Sequence, residues 1–420
     1  MKIVSITGTK GKTTVTRVLA YLLRQRNLTT LRVDNDGHYI NERQKSSLDD
    51  SLNLFEKTPS VCPGKYLITM KKYFPDFAAI LEASIGSRGG GLGYRFHDIG
   101  IFTNIYEDHI QKHKGIKNRL DLAKTKNFIV RKINNNGFLV FNADDKYVCS
   151  QLKELPKNKN VTLLPVGLSF NHYDKKKHLS EGGQVITLED DWTVIKTRDR
   201  TKKIIKTKDL SWTFDGFFKP SLYNLLFILG GLYAYFGQKI NTGDIDALKK
   251  YTPNPYGGRL TLMKNKTGVQ IIIDYAHEKK SLLELSRLGH KIKKNHLIGV
   301  LRLAPNIRNE AILKIAKALY SKYDHFIIYD KIDGVHRKKY CEKNSGFSRE
   351  IGEVSSFFSK SLKTLQKNST ITVESVILEG DAIKRAAKIA LPGDVVAIIW
   401  GHEPKDTINQ VKKYFRANLL

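Results

Sequence analysis

Residues 2–14 constrain the fold more than any other stretch. Lys2 to Thr7 alternates polar and apolar side chains with β-branched character, Gly8-Thr-Lys-Gly11 turns the chain, and Lys12-Thr-Thr14 opens a segment with Val15, Val18, Leu19, Leu22 and Leu23 at helical spacing. A strand that passes through glycines directly into a helix is the opening of a βαβ unit, so an α/β domain with a mostly parallel sheet is expected. The turn also has a chemistry. Backbone N–H groups in such a loop can wrap phosphate oxygens, and the positive end of the helix favours an anion. Gly8, Thr9, Lys10, Gly11, Lys12, Thr13 and Thr14 are therefore candidates for holding the phosphates of ATP. Lys12 would reach the β- and γ-phosphates, and the Thr13 hydroxyl would hold magnesium. The loop is shorter than the common GxxxxGK[ST] form, because Ile6 stands five residues before Gly11 and the first glycine is Gly8.

Strand-like runs recur at Leu28 to Val33, Phe77 to Leu81, Ile99 to Thr103, Gly137 to Phe141 and Val161 to Val166, alternating with helical patterns. Short strand-like pieces between residues 168 and 215 suggest a small β excursion, and Leu222 to Phe236 reads as an apolar helix that closes the first domain. Thr252-Pro-Asn-Pro-Tyr-Gly-Gly258 is the best linker. After it the alternation restarts, with strands expected at Val269 to Asp274, His296 to Leu301, His325 to Tyr329, Thr370 to Glu374 and Val395 to Trp400. The expected organisation is a P-loop-type domain over residues 1–252, then a smaller Rossmann-like α/β domain over residues 253–420.

Composition excludes several classes. Hydrophobic residues make up 41% of the 420, too many for a disordered chain. No apolar run reaches the roughly 18 residues of a membrane span, and the N-terminus lacks the pattern of a signal peptide, so no membrane partner is expected. Three cysteines, far apart, form no disulfide framework and point to a reducing cytoplasm. The net charge of +30 raises the question of nucleic acid. The lysines are spread along the whole chain, so a solvated basic surface without a nucleic-acid partner is the preferred reading. A nucleic-acid-stimulated P-loop ATPase is the alternative from another class.

Further candidates stand at strand ends, where an open α/β sheet binds its ligands. Leu81-Glu-Ala-Ser84 ends one expected strand, and a glycine-rich loop with Arg88 and Arg95 follows. Thr103-Asn-Ile-Tyr-Glu-Asp-His109 ends the next. Glu82 and His109 could ligate a divalent ion, and hard oxygen donors suit magnesium.

These segments carry a resemblance. Gly8-Thr-Lys-Gly-Lys-Thr-Thr14 looks like the phosphate loop of the Mur ligase superfamily, which includes murein and pseudomurein peptide ligases, folylpolyglutamate synthetase and the ligase half of cyanophycin synthetase. Matching segments follow in the family's order over almost the whole chain: LExS at Glu82, TNIxxDH at Asn104 and His109, NADD at Asn142 to Asp145, PxGR at Arg259, DYAH at Asp274 to His277, and GHE at Gly401 to Glu403. The resemblance implies two magnesium sites, with Glu82 and His109 on the second. It implies that Asn104 and Asn224 meet the nucleotide, that Arg259 reaches the γ-phosphate, that Asp274 takes the ribose hydroxyls and that His277 sits near the phosphates. Many relatives carry a carbamylated lysine at the place of Asp121-Leu-Ala-Lys-Thr-Lys126. Lys124 and Lys126 compete for that role, and the apolar residues that follow favour Lys126. Arg88, Arg95, Arg308, His402 and Glu403 are substrate candidates. The segment with Arg302 and Arg308 lacks the glycines of relatives.

The activity so implied is an ATP-dependent amide ligase that passes through an acyl-phosphate and adds an amino acid or peptide to a carboxylate acceptor. A pseudomurein-type peptide ligase is the preferred substrate class, and a polyamino-acid ligase is the runner-up. The chain begins at the phosphate-loop strand, so the N-terminal domain that holds the UDP-sugar in classical murein ligases is not expected.

Overall fold

The computed structural model describes residues 1–44, 62–84, 92–107, 110, 115–257, 259–305, 307–331, 349–365 and 371–420. These form two compact units, Met1–Ile110 with Gly115–Thr252, and Pro253–Leu420.

The first unit is built on an eleven-stranded sheet among the described residues. Its strands are β1 (Lys2–Thr7), β2 (Thr30–Asp34), β3 (Gly37–Ile40), β4 (Arg43–Gln44), β5 (Ala78–Glu82), β6 (His97–Phe102), β7 (Ile133–Asn142), β8 (Val161–Val166), β9 (Val185–Glu189), β10 (Trp192–Lys196) and β11 (Thr201–Lys206). Their order is β11-β10-β9-β8-β7-β6-β1-β5-β2-β3-β4. The strands from β9 across to β2 run parallel, and antiparallel hairpins extend both edges.

Period-two alternation explains how the sheet is covered on both faces. Val4, Ile6, Ile99, Ile101 and Val140 pack in one core with Val15, Leu19, Leu22, Leu226 and Leu229. The last five come from the helices Lys12–Gln25 and Lys219–Tyr235. On the other face Leu139, Phe141 and Phe102 join Ile129 and Leu122, while Ile3, Leu31, Val33 and Leu81 join Met70 and Tyr66. Ser5, on this second face, keeps its hydroxyl paired with the Tyr94 phenol at 2.7 Å. Burying so many β-branched side chains on both faces makes the parallel run the rigid part of the unit.

The second unit has a seven-stranded sheet among the described residues. Its strands are β12 (Thr261–Lys264), β13 (Gln270–Asp274), β14 (Leu297–Leu301), β15 (His325–Ile328), β16 (Thr372–Ser375), β17 (Val395–Ile399) and β18 (Asn418–Leu419). The order is β16-β15-β14-β17-β13-β12-β18, parallel from β16 to β13 and antiparallel beyond. Ile271, Ile273, Ile298, Val300, Val396 and Ile398 pack on Ile383, Ala386, Ile408 and Val411, which lie in the helices Glu379–Ile389 and Pro404–Phe415. Among the described residues no helix is long and apolar enough to cross a membrane. Both units are α/β with mostly parallel sheets.

Candidate active site

In the first unit, β1 delivers the chain to Gly8 and the helix starts at Lys12. Both glycines of the loop are required by their surroundings. Gly8 has φ +138, and a Cβ there would lie 2.1 Å from Thr103 Oγ1; Gly11 has φ +87, and a Cβ there would lie 2.3 Å from Asn224 Oδ1. The segment after β6 grips the loop from one side. Thr9 N donates to the Asn104 carbonyl at 2.8 Å, Lys10 N donates to Asn104 Oδ1 at 2.8 Å, and Asn104 Nδ2 returns a bond to the Lys10 carbonyl at 3.1 Å. Thr103 Oγ1 donates to the same carbonyl at 2.7 Å, and Tyr106 N donates to Thr9 Oγ1 at 3.0 Å. Asn104 thus shapes the phosphate loop directly, and Asn224 stands against its last glycine.

Glu82 ends β5 beside the loop, because β5 pairs with β1 in register up to Ile6↔Glu82. Its side chain is fully buried. Thr13 Oγ1 donates to Glu82 Oε2 at 2.8 Å, Asn35 Nδ2 donates to Oε1 at 3.0 Å, and Lys12 Nζ lies 3.8 Å from Oε1. Lys12 Nζ also donates to the Thr9 carbonyl at 3.2 Å. A buried carboxylate next to a threonine hydroxyl at a phosphate loop is a donor set of hard oxygens, which fits magnesium. His109 and Arg88 lie outside the described residues.

Lys126 ends the helix Arg119–Lys126, is 2% exposed, and donates from Nζ to the Ser84 carbonyl, two residues beyond Glu82. Lys124 is exposed. The buried lysine and the buried glutamate thus converge on one segment. The helix start is fixed by Asn118, whose side chain accepts from Asp121 N at 3.0 Å.

Asp144 and Asp145 brace the same edge. Asp145 Oδ2 accepts from Ile105 N at 2.8 Å, holding the segment that carries Asn104. Asp144 accepts from the backbone of Leu168, Ser169 and Asn171 and, at 2.8 Å, from the Tyr223 hydroxyl. Burial, then the Asp144 charge, raise the Tyr223 phenol far above its usual range, so it stays protonated and keeps donating. That bond ties the residue preceding Asn224 to the turn that follows β7. Arg95 is not brought to this edge. It lies two residues before β6, at the opposite end of the strands, exposed and with its guanidinium 5.5 Å from the Phe96 ring.

In the second unit the ends of β13, β14 and β17 share an edge. Trp400 N donates to the Asp274 carbonyl at 3.1 Å, and Trp400 stacks on Tyr275 with centroids 4.1 Å apart. Tyr275 meets His277 edge-on at 4.8 Å, and His277 Nδ1 donates to the Tyr275 carbonyl at 2.9 Å. Arg302, 1% exposed, donates from Nε and Nη2 to the Trp400 carbonyl at 3.0 and 2.9 Å and sits over Tyr275. Its role is to lock two strand ends together. His402, Glu403 and Arg308 are exposed after β17 and β14. Glu379 supports the Gly401 turn from below, accepting from Gly401 N at 3.1 Å and Thr407 Oγ1 at 2.5 Å. Arg259 is half-buried between the linker and β12.

Sequence reasoning did not single out Asn35, Tyr223 or Glu379. Asn35 had one local signal, the Asp-Asn-Asp-Gly turn. The other two show their importance only through partners distant in the chain.

Comparison with known proteins fits this arrangement. The model of the Mur ligase middle domain matches residues 6–207. Cyanophycin synthetase of Geminocystis herdmanii (strain PCC 6308) is 25% identical over 418 residues, which cover 98% of this chain and 44% of that protein. This chain therefore spans less than half the length of that relative. Among solved structures, FolC of E. coli in complex with ADP superposes with a TM-score of 0.67 at 14% identity, covering 99% of this chain and 90% of that one. A pseudomurein peptide ligase type C from Methanothermus fervidus superposes with a TM-score of 0.58 at 17% identity, covering 98% and 78%. At those identities the structural likeness establishes a shared fold.

Proposed function

We propose, from the premise that this chain belongs to the Mur ligase superfamily, that it is an ATP-dependent ligase joining an amino acid or peptide to a carboxylate acceptor. The observation that carries the reading is the buried Glu82 carboxylate, reached by Thr13 at 2.8 Å and flanked by Lys12 at 3.8 Å on the phosphate loop. Lys126, buried on the neighbouring segment, adds to it.

Thr13 would hold one magnesium ion and Glu82 a second. The ions would offset negative charge on the phosphoryl oxygens. Backbone N–H groups at the start of the helix that opens at Lys12 would cradle the phosphates, while those of Thr9 and Lys10 hold the loop to Asn104, and Lys12 would orient the γ-phosphoryl group. An acceptor carboxylate oxygen attacks the γ-phosphorus, the bond to the β-phosphate oxygen breaks, and ADP leaves. An amine then attacks the carbonyl carbon of the acyl-phosphate, losing a proton as phosphate departs. The chain's contribution is mainly position and electrostatics. Lys126, carbamylated by carbon dioxide, would become an anion that supports the metal. Arg259, Asp274 and His277 are assigned to the nucleotide, and His402, Glu403 and Arg308 to the incoming amine substrate. Scarce cysteine and dependence on ATP favour the cytoplasm.

A pseudomurein-type cell-wall peptide is the preferred acceptor. A polyamino-acid acceptor is the second reading, favoured by the alignment of 98% of the chain with a cyanophycin synthetase. Phosphate release with a panel of amino acids, paired with UDP-linked peptides or with acidic and arginine-bearing polyamino acids, decides between them. Release that responds to DNA or RNA and to no amine–carboxylate pair would overturn the ligase assignment.

A further inference from the structure

The turn between β2 and β3 contains a side chain that reaches into the candidate metal site. Asp34 pairs with Gly37 across the hairpin, which makes Asn35 and Asp36 its two tip residues. A two-residue tip is normally a solvent-facing detail. Here it is tied down by a buried ionic network. Asp34, fully buried, accepts from Asp36 N at 2.9 Å, from Arg17 Nε at 3.1 Å and from Arg32. Arg17 also pairs with Asp36, and Arg32 pairs with Glu42 at 3.1 Å while covering the Tyr39 ring at 3.8 Å. Burial alone would lower the Arg17 pKa; Asp34 and Asp36 outweigh it, and the guanidinium is held charged.

Arg17 lies one helical turn beyond Thr13, so both occupy the same face of the helix. One residue on that face touches Glu82 and the next grips the hairpin. The result is that Asn35 Nδ2 donates to Glu82 Oε1 at 3.0 Å while Thr13 Oγ1 donates to Oε2 at 2.8 Å. Each carboxylate oxygen accepts from one neutral donor, and the carboxylate plane is set. A buried ionic network of this kind adds little net stability. Its geometric effect, the fixed tip, is the better account of its presence.

We propose that Asn35 is a positioning residue for the Glu82 carboxylate, and that the pinned hairpin exists to deliver it. This rests on the reading of Glu82 as a magnesium ligand. An amide suits the task because it donates without charge. A lysine there would compete with the metal, and an aspartate would repel Glu82. Outer partners of ligating carboxylates commonly change metal affinity by about 10- to 100-fold.

The test uses the full chain with ADP and Mn²⁺, reading bound Mn²⁺ by its loss of free-ion EPR signal. Asn35→Ala and Asn35→Gly both remove the donor, and the glycine variant tolerates any turn conformation. The expected result is Mn²⁺ affinity weakened about 10-fold in both, a matching rise in the Mg²⁺ concentration for half-maximal phosphate release, and an unchanged Tm, since Asn35 is exposed. Glu82→Gln is the reference. If it abolishes Mn²⁺ binding while both Asn35 variants bind normally, the inference about Asn35 is overturned and the metal reading stands. If Glu82→Gln binds Mn²⁺ normally, the metal reading falls and takes this inference with it.

Discussion

Lys124 and Lys126 are two residues apart, about 200° round a helix, and that turn separates their environments. Lys126 is 2% exposed with its ammonium against the Ser84 carbonyl, whereas Lys124 faces solvent. A buried lysine is costly unless its charge is compensated. Carbamylation next to a metal removes the cation and makes an anion in its place. Lys126→Ala is therefore expected to lower ligation by about 100-fold, with partial recovery in a buffer containing a short carboxylic acid; Lys124→Ala should stay within about two-fold. Steady-state phosphate release measures both, and a dead Lys124→Ala beside an active Lys126→Ala would reverse the assignment. At the phosphate loop, Lys12→Ala should cost about 100-fold or more in turnover while the fold is kept, because the side chain points at the loop and not into the core. Circular dichroism on the same sample checks the second half of that statement. The order of these site residues is readable in the chain, since each sits in a short motif. Who holds them is not: Asn35 and Glu82 are 47 positions apart, and no local pattern links them.

The elements that carry the site follow one rule, that parallel strands end together. β1, β5 and β6 are in register, Ile6 beside Glu82 and Thr7 beside Phe102, so the phosphate loop, Glu82 and Asn104 meet without any long side chain having to reach. This was legible in outline, because strand–turn–helix alternation forces a parallel sheet. The strand order was not, nor was the β2–β3 hairpin, whose register depends on which face is covered. The same rule excludes Arg95, which precedes its strand and so falls at the other end of the sheet. Close approach of elements makes the two loop glycines the sharpest test at this scale. Gly11→Ala places a methyl carbon 2.3 Å from Asn224 Oδ1 and forces an alanine to φ +87. Strain of about 1–3 kcal/mol is expected, and the adjustment must displace either the helix start or Asn224. Isothermal titration should show ADP binding weakened about 10-fold or more, by the same strain, with Tm lowered. Unchanged ADP affinity would mean that the Gly11–Asn224 approach has no part in nucleotide binding.

At the scale of the whole molecule, one buried and one half-buried titratable group, one in each unit, contribute to stability with opposite dependence on acid. His97, in the first unit, is fully buried; Nε2–H donates to the Ile129 carbonyl at 3.0 Å, and burial pushes its pKa down to about 4. The unfolded chain takes up that proton near pH 6.5 and the folded one only near 4, so stability is intact above about pH 6.5 and falls between there and about pH 4. The loss approaches about 3 kcal/mol. Glu379, in the second unit, has its pKa raised by burial in spite of the bonds from Thr407 and Gly401. Its contribution has the reverse sign: it is present below the unfolded carboxylate value and is lost as pH rises through the folded one. Asp324 works against it: burial alone would raise its pKa, but Lys293 and the Leu297 N–H together outweigh burial and hold it down, although the ion pair is partly solvated and screened. Variants isolate each group. His97→Gln should flatten the pH dependence of unfolding of the first unit between pH 4 and 6.5, whatever it does to stability at neutral pH. Glu379→Gln keeps an acceptor for Gly401 and should flatten the dependence of the second unit above the carboxylate range. Urea unfolding across pH, followed by hydrogen exchange resolved to each unit, reads the two slopes separately. Each assignment fails if its variant keeps the parent's slope, since a pH dependence that survives removal of the titrating group belongs to another residue.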